Sequence, residues 1–256
     1  MVSESPSTPA SSVTPTPGVL WVTCNIMKRE PHLSEELFDS WYEEHLTDVL
    51  NTPGNGGLAL RYINADASVD LWSDPDFASR YAAPAAALER IRDFSWKALA
   101  LVKLSDVAWC ASQPFNDMPR TSKQVPQEPD GSDGSVFNCW HAGLRTYETV
   151  DRKDGVKAGS KWLVSVQTES ADKGSFDKVL EAYTAKTGCQ GYVAYRLVEG
   201  LLPYPEPPSP GNLPQGMVII EFDGEKPSAE VIVGAKVVRI DVWDRKLARG
   251  DLELGL

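Results

Sequence analysis

Histidine is scarce in this chain, and its few cysteines are scattered. Three of the 256 residues are histidine, His32, His45 and His141, and none of them stands in an HxH or HExxH pattern. The four cysteines are far apart and form no CxxC pair. These absences argue against a zinc or iron site of the usual type and against a disulfide framework. We therefore expect reduced thiols and a cytoplasmic location.

Long apolar runs, basic clusters and nucleotide-binding motifs are also missing. No run of about 18 apolar residues occurs, so no transmembrane helix is expected. The net charge of -11 disfavours nucleic acid and anionic membranes as partners, because both bind basic surfaces. The chain has no GxGxxG, P-loop or GxSxG motif, which removes most nucleotide, flavin and serine-hydrolase functions. We expect no cofactor, and a small apolar or aromatic molecule as the partner.

Composition divides the chain into five segments. Residues 1–18 are rich in Ser, Thr and Pro and lack the basic start and apolar centre of a secretory signal, so we expect a disordered tail. Residues 19–150 form a first unit and 161–245 a second, and the polar stretch 151–160 links them. Residues 246–256 are polar, and we expect a loosely held tail there.

The most informative stretch, Ser34 to Asp66, predicts a helix, a glycine turn and a strand. Ser34 is a suitable N-cap, and Pro53 with Gly54 should end the helix. Aromatic residues recur along the helix at spacings of three and four, so they share one face. The residues on this face are Phe38, Trp41, Tyr42 and His45. The strand LALRYI then carries Arg61 and Tyr62.

The same order of elements recurs in the second half, where a helix carries Tyr183 at the position of His45 and a strand carries Tyr195. This repeat predicts an α+β fold. The expected architecture is two tandem ferredoxin-like βαββαβ repeats, packed sheet to sheet as an intramolecular α/β barrel. A pocket could form between the sheets. Such a protein would be a monomer with an internal pseudo-dimer, or a weak homodimer.

Several stretches resemble a known family. FDSWYEEHL, followed by a glycine turn and LALRYI, resembles the dimeric α/β-barrel superfamily, and within it the EthD-type proteins common in fungal secondary-metabolite clusters. WKALALVKLSDVAW and CWHAGLRTYETV resemble the third and fourth strands of that family. The family usually builds its barrel from two chains, and this chain resembles both halves fused. The resemblance implies a small-molecule pocket, and members include cofactor-free polyketide cyclases, decarboxylases and monooxygenases.

Three residues are candidates for catalysis. His45 is the expected acid or base because histidine transfers protons near neutral pH. Arg61 could bind a carboxylate or phenolate, and His141 faces the same side of its strand as Arg145. The candidates for substrate binding are aromatic: Phe38, Trp41, Tyr42, Tyr62, Tyr183 and Tyr195. Tyr62 and Tyr195 could also donate hydrogen bonds to a developing oxyanion. Each of these residues could instead be a packing or surface residue.

A shaped pocket with one proton carrier suits a limited set of reactions. Our hypothesis is a cofactor-independent cyclase, lyase or isomerase acting on an apolar polyketide- or terpenoid-like intermediate in natural-product biosynthesis. Cyclisation, dehydration, decarboxylation and pericyclic ring closure all qualify. The alternatives are a cofactor-free or haem-dependent monooxygenase on the same fold, and a non-catalytic carrier of a small apolar ligand.

Overall fold

The structure is a computed structural model. It describes residues 14–26, 34–65, 97–125, 127, 134–135, 140–153, 160–198, 214–229, 232 and 234–256. Residues 1–13 of the predicted tail lie outside the described residues.

Eight strands form a closed barrel in which every neighbouring pair is antiparallel. They are β1 (Gly18–Ile26), β2 (Asn55–Asn64), β3 (Ala98–Leu104), β6 (Trp140–Arg152), β7 (Trp162–Thr168), β8 (Cys189–Val198), β9 (Gly216–Phe222) and β10 (Val237–Gly250). Around the barrel the order is β1-β3-β2-β10-β7-β9-β8-β6, and pairing between β6 and β1 closes the ring. The short strands β4 (Thr121–Ser122) and β5 (Gly134–Ser135) pair separately.

The predicted fold class is therefore wrong. Two ferredoxin-like repeats packed sheet to sheet would keep two separate four-stranded sheets, whereas here β2 is hydrogen bonded to β10 and β6 to β8. A βαββαβ unit also needs two helices, and the described residues contain one long helix in each half. Pairing the edge strands satisfies backbone groups that free edges would expose, which favours one continuous ring.

The helices pack on the outside of the barrel. They are α1 (Glu35–Asn51), the four-residue α2 (Gln113–Asn116) and α3 (Lys173–Thr184), with 3-10 helices at Val107–Ala111 and Leu252–Leu254. Ser34 caps α1 as predicted, because its Oγ accepts a hydrogen bond from the Leu37 N–H at 3.2 Å. Among the described residues, no helix is long and apolar enough to cross a bilayer.

Glycines form the turn between α1 and β2. Gly54 has a φ of 90°, which other residues rarely adopt. A Cβ on Gly56 would lie 2.3 Å from the carbonyl oxygen of Lys103, so only glycine lets β2 approach β3 there. The glycine turn predicted from the sequence is thus confirmed, and it sets the start of β2 against α1.

Alternation along the strands separates the core into an interior and two outer layers. The barrel interior contains large side chains that include Trp21, Tyr62, Tyr195 and Trp243. One outer layer lies under α1 and includes Phe38, Trp41 and Tyr42. The other lies under α3 and includes Phe176, Val179 and Tyr183.

The predicted loose tail at 246–256 is also wrong. Strand β10 continues to Gly250, and Leu256 packs in the interior cluster with 5% of its surface exposed. Lys103 Nζ donates hydrogen bonds of 2.6 Å to the carbonyl oxygens of Leu254 and Gly255. This polar segment is held because a buried leucine and a lysine anchor it at one end of the barrel.

Candidate functional site

A pocket of about 340 Å³ lies between the start of α1 and the outer face of β1, β2 and β3. This volume includes space that is open to solvent. Its lining combines an apolar floor with three charged side chains. The lining residues are Cys24, Phe38, Asp39, Arg61, Ile63, Lys97 and Ala98.

Arg61 is the buried charge of this pocket, with 4% of its surface exposed. One terminal nitrogen of its guanidinium forms an ion pair with Asp39. The guanidinium carbon lies 5.5 Å from the ring centre of Phe38 and 4.8 Å from that of Tyr42, both within cation–π range. Its Nε is buried and has no hydrogen-bond partner among the described residues. Arg61 therefore has an N–H that could donate a hydrogen bond to an oxygen atom of a ligand.

Lys97 contributes the second positive charge. It precedes β3 and is half-buried, and burial lowers the pKa of its ammonium below the usual value. Asp39 is more exposed than either basic residue, with 54% of its side chain accessible. Because two positive groups and one negative group line the pocket, an anionic ligand is favoured there.

The thiol of Cys24 is not an activated nucleophile. Cys24 Sγ lies 3.3 Å from the hydroxyl of Tyr42 beneath α1. Burial raises the pKa of the thiol to about 12, although the Tyr42 hydrogen bond and the Arg61 charge act in the opposite direction. Burial also raises the pKa of Tyr42. Both groups stay protonated at neutral pH and form part of the polar floor.

His45 does not line this pocket. It is half-buried and its ring stacks on Trp41, with 4.6 Å between ring centres and 14° between planes. Burial and then the nearby charge of Arg120 lower its pKa to about 4, and a backbone contact with Pro119 opposes this. A histidine with this pKa is neutral near pH 7 and is a weak base there. Trp41 likewise serves to pack α1 and is absent from the pocket lining.

The other predicted site residues are dispersed. Tyr183 is buried in the layer under α3, with its ring centre 6.4 Å from that of Phe222. His141 lies on β6 opposite Asn25 of β1; its side chain is outside the described part of the structure, so its role stays a prediction. Tyr62 and Tyr195 lie inside the barrel, on the other side of its wall from the pocket.

Those two tyrosines share the interior with an acid that the sequence analysis missed. Glu221 has the same inward orientation on β9 as Met217 and Ile219, and 2% of its surface is exposed. Its charge raises the pKa of both Tyr62 and Tyr195, in addition to the larger effect of their burial. In the strand GMVIIEF, Glu221 alternates in phase with Met217 and Ile219, and this spacing is the sequence pattern that could have predicted its inward orientation.

Of the predicted set, the pocket thus brings together Phe38 and Arg61, with Tyr42 against the guanidinium. Asp39, Lys97 and Cys24 are additions that the structure supplies. Asp39 follows Phe38 on α1. Lys97 directly precedes β3, and β3 pairs with β2, the strand that carries Arg61. Neither contact follows from sequence spacing, since each depends on how the strands pair.

Comparison with known proteins assigns this chain to no family. The chain matches no family model, and none of the curated proteins matches it. One similar solved structure is a candidate monooxygenase from Lactobacillus acidophilus NCFM, with 8% identity and a TM-score of 0.43, covering 92% of this chain and 96% of that chain. A likeness at this level assigns neither a family nor an activity. Membership of the EthD-type proteins stays a prediction.

Proposed function

We propose that this chain is a cofactor-independent enzyme, a lyase, cyclase or isomerase, that acts on a small apolar carbonyl compound in the pocket under α1. The observation that carries the proposal is the buried guanidinium of Arg61, which lines a pocket with an apolar floor and whose Nε has no hydrogen-bond partner in the described part of the chain. A buried arginine with a free N–H binds a carboxylate or enolate oxygen strongly, because water does not compete for it.

The apolar floor sets the class of substrate. Phe38, Ile63 and Ala98 offer hydrocarbon surface to a flat molecule, and the oxygen of that molecule faces the guanidinium. Polyketide-like and terpenoid-like intermediates combine a large apolar body with carbonyl or acid groups, and they fit this division. The proposal therefore places the reaction in natural-product biosynthesis, as the resemblance to EthD-type proteins also suggests.

Proton transfer at the carbon next to the carbonyl is the proposed chemistry. The neutral amine of Lys97 takes a proton from that carbon, and the electron pair moves onto the carbonyl oxygen. Arg61 stabilises the resulting enolate by a charge-assisted hydrogen bond. Burial lowers the pKa of Lys97, which favours the neutral amine relative to that of a fully solvated lysine. The enolate then closes a ring, expels water or takes up a proton at another carbon.

Decarboxylation of a β-keto acid would use the same pocket differently. The bond to the carboxyl carbon breaks, carbon dioxide leaves, and the electron pair again forms an enolate beside Arg61. In this variant the side chain of Lys97 returns a proton to carbon instead of removing one. Both variants need the arginine, and only the first needs the lysine as a base.

The test uses two probes, 2-naphthoate for binding and 2-tetralone in D2O for exchange of the protons next to its carbonyl. We expect Arg61→Gln to reduce exchange by roughly 10²-fold, the order found when one oxyanion donor is removed. Lys97→Met should reduce exchange by about 10²-fold or more while naphthoate still binds. The matched control is Arg196→Gln, because Arg196 is an exposed arginine on β8 that pairs with Glu148.

The outcomes separate the candidate functions. Exchange at the wild-type rate in folded Arg61→Gln protein contradicts the proposal. Binding of 2-naphthoate without exchange above the rate in buffer would identify a carrier. The monooxygenase alternative rests on the family resemblance alone.

A further inference from the structure

Inside the barrel, several buried polar atoms lack hydrogen-bond partners among the described residues. Among them are the hydroxyl oxygens of Tyr62 and Tyr195 and the Oε1 of Glu221. Tyr62 and Tyr195 have no exposed surface, and Glu221 has 2%. A buried polar group without a partner costs roughly 1–3 kcal/mol. These groups therefore make this part of the interior costly to bury.

Among the described residues, one of the two carboxylate oxygens of Glu221 has a hydrogen-bond partner. Its Oε2 accepts a hydrogen bond of 3.2 Å from the Oγ of Ser160, which precedes β7. A second contact joins the same two segments, because Asp223 Oδ1 accepts a hydrogen bond of 3.1 Å from the Lys161 N–H. Glu221 and Asp223 thus fasten the start of β7 to the end of β9 at one end of the barrel.

Charged and titratable groups face Glu221 from several strands. Tyr62 of β2 and Tyr195 of β8 interact with its charge inside the barrel. Arg245 of β10 attracts the carboxylate, whereas Asp223 just beyond β9 repels it. Arg152 of β6 acts on Tyr195. One of these charges is negative and two are positive, and none of them forms a hydrogen bond with Oε1.

We infer that the protonation state of Glu221 controls how firmly this barrel end is held, and that this end is closed when the carboxyl is protonated and loosened when it is ionised. A protonated carboxyl is neutral, so its burial in the interior costs less than burial of the charged form. An ionised carboxylate leaves a charged oxygen, Oε1, without a hydrogen-bond partner among the described residues, which favours opening that lets water reach it. The inference is independent of the proposed function.

The electrostatics support this direction. Burial raises the pKa of Glu221 from 4.5 to about 7, and the Ser160 hydrogen bond only partly opposes it. Because the folded-state pKa is the higher one, its contribution to stability is fully present below about pH 4.5. That contribution is lost as the pH rises through about 7.

The primary test is amide hydrogen exchange, corrected for the intrinsic pH dependence, at Lys161 and Asp223 between pH 5.5 and 8.5. In the wild type, we expect protection of these two amides to fall by at least about tenfold across this range. In Glu221→Gln the protection should be independent of pH. Amides of β2 and β3 under α1 serve as internal controls and should not respond.

Two results would overturn the inference. One is a wild-type profile in which Lys161 and Asp223 show no fall in protection, or one that Glu221→Gln reproduces. The other is a carboxyl carbon signal of Glu221 that titrates near 4.5 in NMR. If Glu221→Gln does not fold, Ser160→Ala tests the same dependence of this barrel end on the protonation of Glu221. Loss of the Ser160 hydrogen bond should move the midpoint of the protection profile to higher pH, because that bond stabilises the carboxylate.

Discussion

Arg61 and Tyr62 are neighbours on β2, yet their side chains lie on opposite faces of the barrel wall. Arg61 contacts Phe38 and Tyr42 under α1, whereas Tyr62 is buried in the interior and interacts with Glu221. Side chains alternate along a strand, so adjacent residues cannot line one pocket. The two residues that the sequence suggests for one site therefore belong to two sites with different chemistry.

Asp39 competes with an anionic ligand for Arg61. Because Asp39 is half-exposed and pairs with one terminal guanidinium nitrogen, Asp39→Asn should leave the chain folded and release part of the positive charge. We expect 2-naphthoate to bind about threefold to tenfold more tightly, as measured by titration calorimetry. Glu148→Gln is the matched control, since it relieves the exposed Arg196 instead. Weaker naphthoate binding in Asp39→Asn would show that the ligand does not use Arg61.

His45 should matter for stability and little for turnover. His45→Gln removes the stack on Trp41 and should cost roughly 0.5–1.5 kcal/mol of unfolding free energy. Since burial lowers the pKa of His45 from 6.5 to about 4, the wild type should lose stability as the pH falls through that interval. His45→Gln should flatten this part of the curve in urea unfolding measured by fluorescence. A large loss of tetralone exchange in the folded variant would restore the acid–base role.

A pair of interior residues tests the cost of an unpaired polar group. Trp243 Nε1 donates a hydrogen bond of 2.9 Å to the Oγ of Ser165, and both residues are buried. Ser165→Ala should cost roughly 1–3 kcal/mol because the indole N–H loses its acceptor. Trp243→Phe removes the donor, and the double variant should cost less than the sum of the single ones. Strict additivity in urea unfolding would mean that the bond contributes nothing.

Local patterns predicted the helix α1 well. Ser34 followed by aromatic residues at spacings of three and four fixes both the cap and the buried face, because these depend only on neighbouring residues. The fold class was mispredicted because it depends on which strand edges meet. The β2–β10 and β6–β8 pairings join residues far apart in the sequence, and strand periodicity is the same for a free sheet and a closed ring.

Glu221 was missed for the same reason. An acid near the end of a strand usually faces solvent, and only the closure of the barrel makes its inward face dry. Arg61 was recognised as a candidate, but its burial depends on the packing of α1 against β2. The sequence shows an arginine on a predicted strand at position 61. The pocket around this arginine forms only when the chain folds, so it is not visible in the sequence.

Lys103 should control how firmly the chain covers one barrel end. Its Nζ holds the carbonyl oxygens of Leu254 and Gly255. Lys103→Met keeps much of the side-chain volume and removes both hydrogen bonds. We expect amide exchange at Glu253 and Leu254 to accelerate by about tenfold, without a change in α1. Unchanged exchange would mean that the buried side chain of Leu256 is sufficient to hold the segment.

Removing an unpartnered hydroxyl should stabilise the barrel. Tyr62→Phe and Tyr195→Phe keep the ring and delete an O–H that has no partner among the described residues. Each variant should gain up to about 1 kcal/mol in unfolding free energy, because the buried hydroxyl no longer loses its hydration on folding. Tyr42→Phe is the control: its hydroxyl lies 3.3 Å from Cys24 Sγ, so its loss should destabilise the chain. Urea unfolding at pH 5.5, where Glu221 is protonated, measures all three. If Tyr62→Phe and Tyr195→Phe are as destabilising as Tyr42→Phe, then the interior hydroxyls are hydrogen bonded in solution.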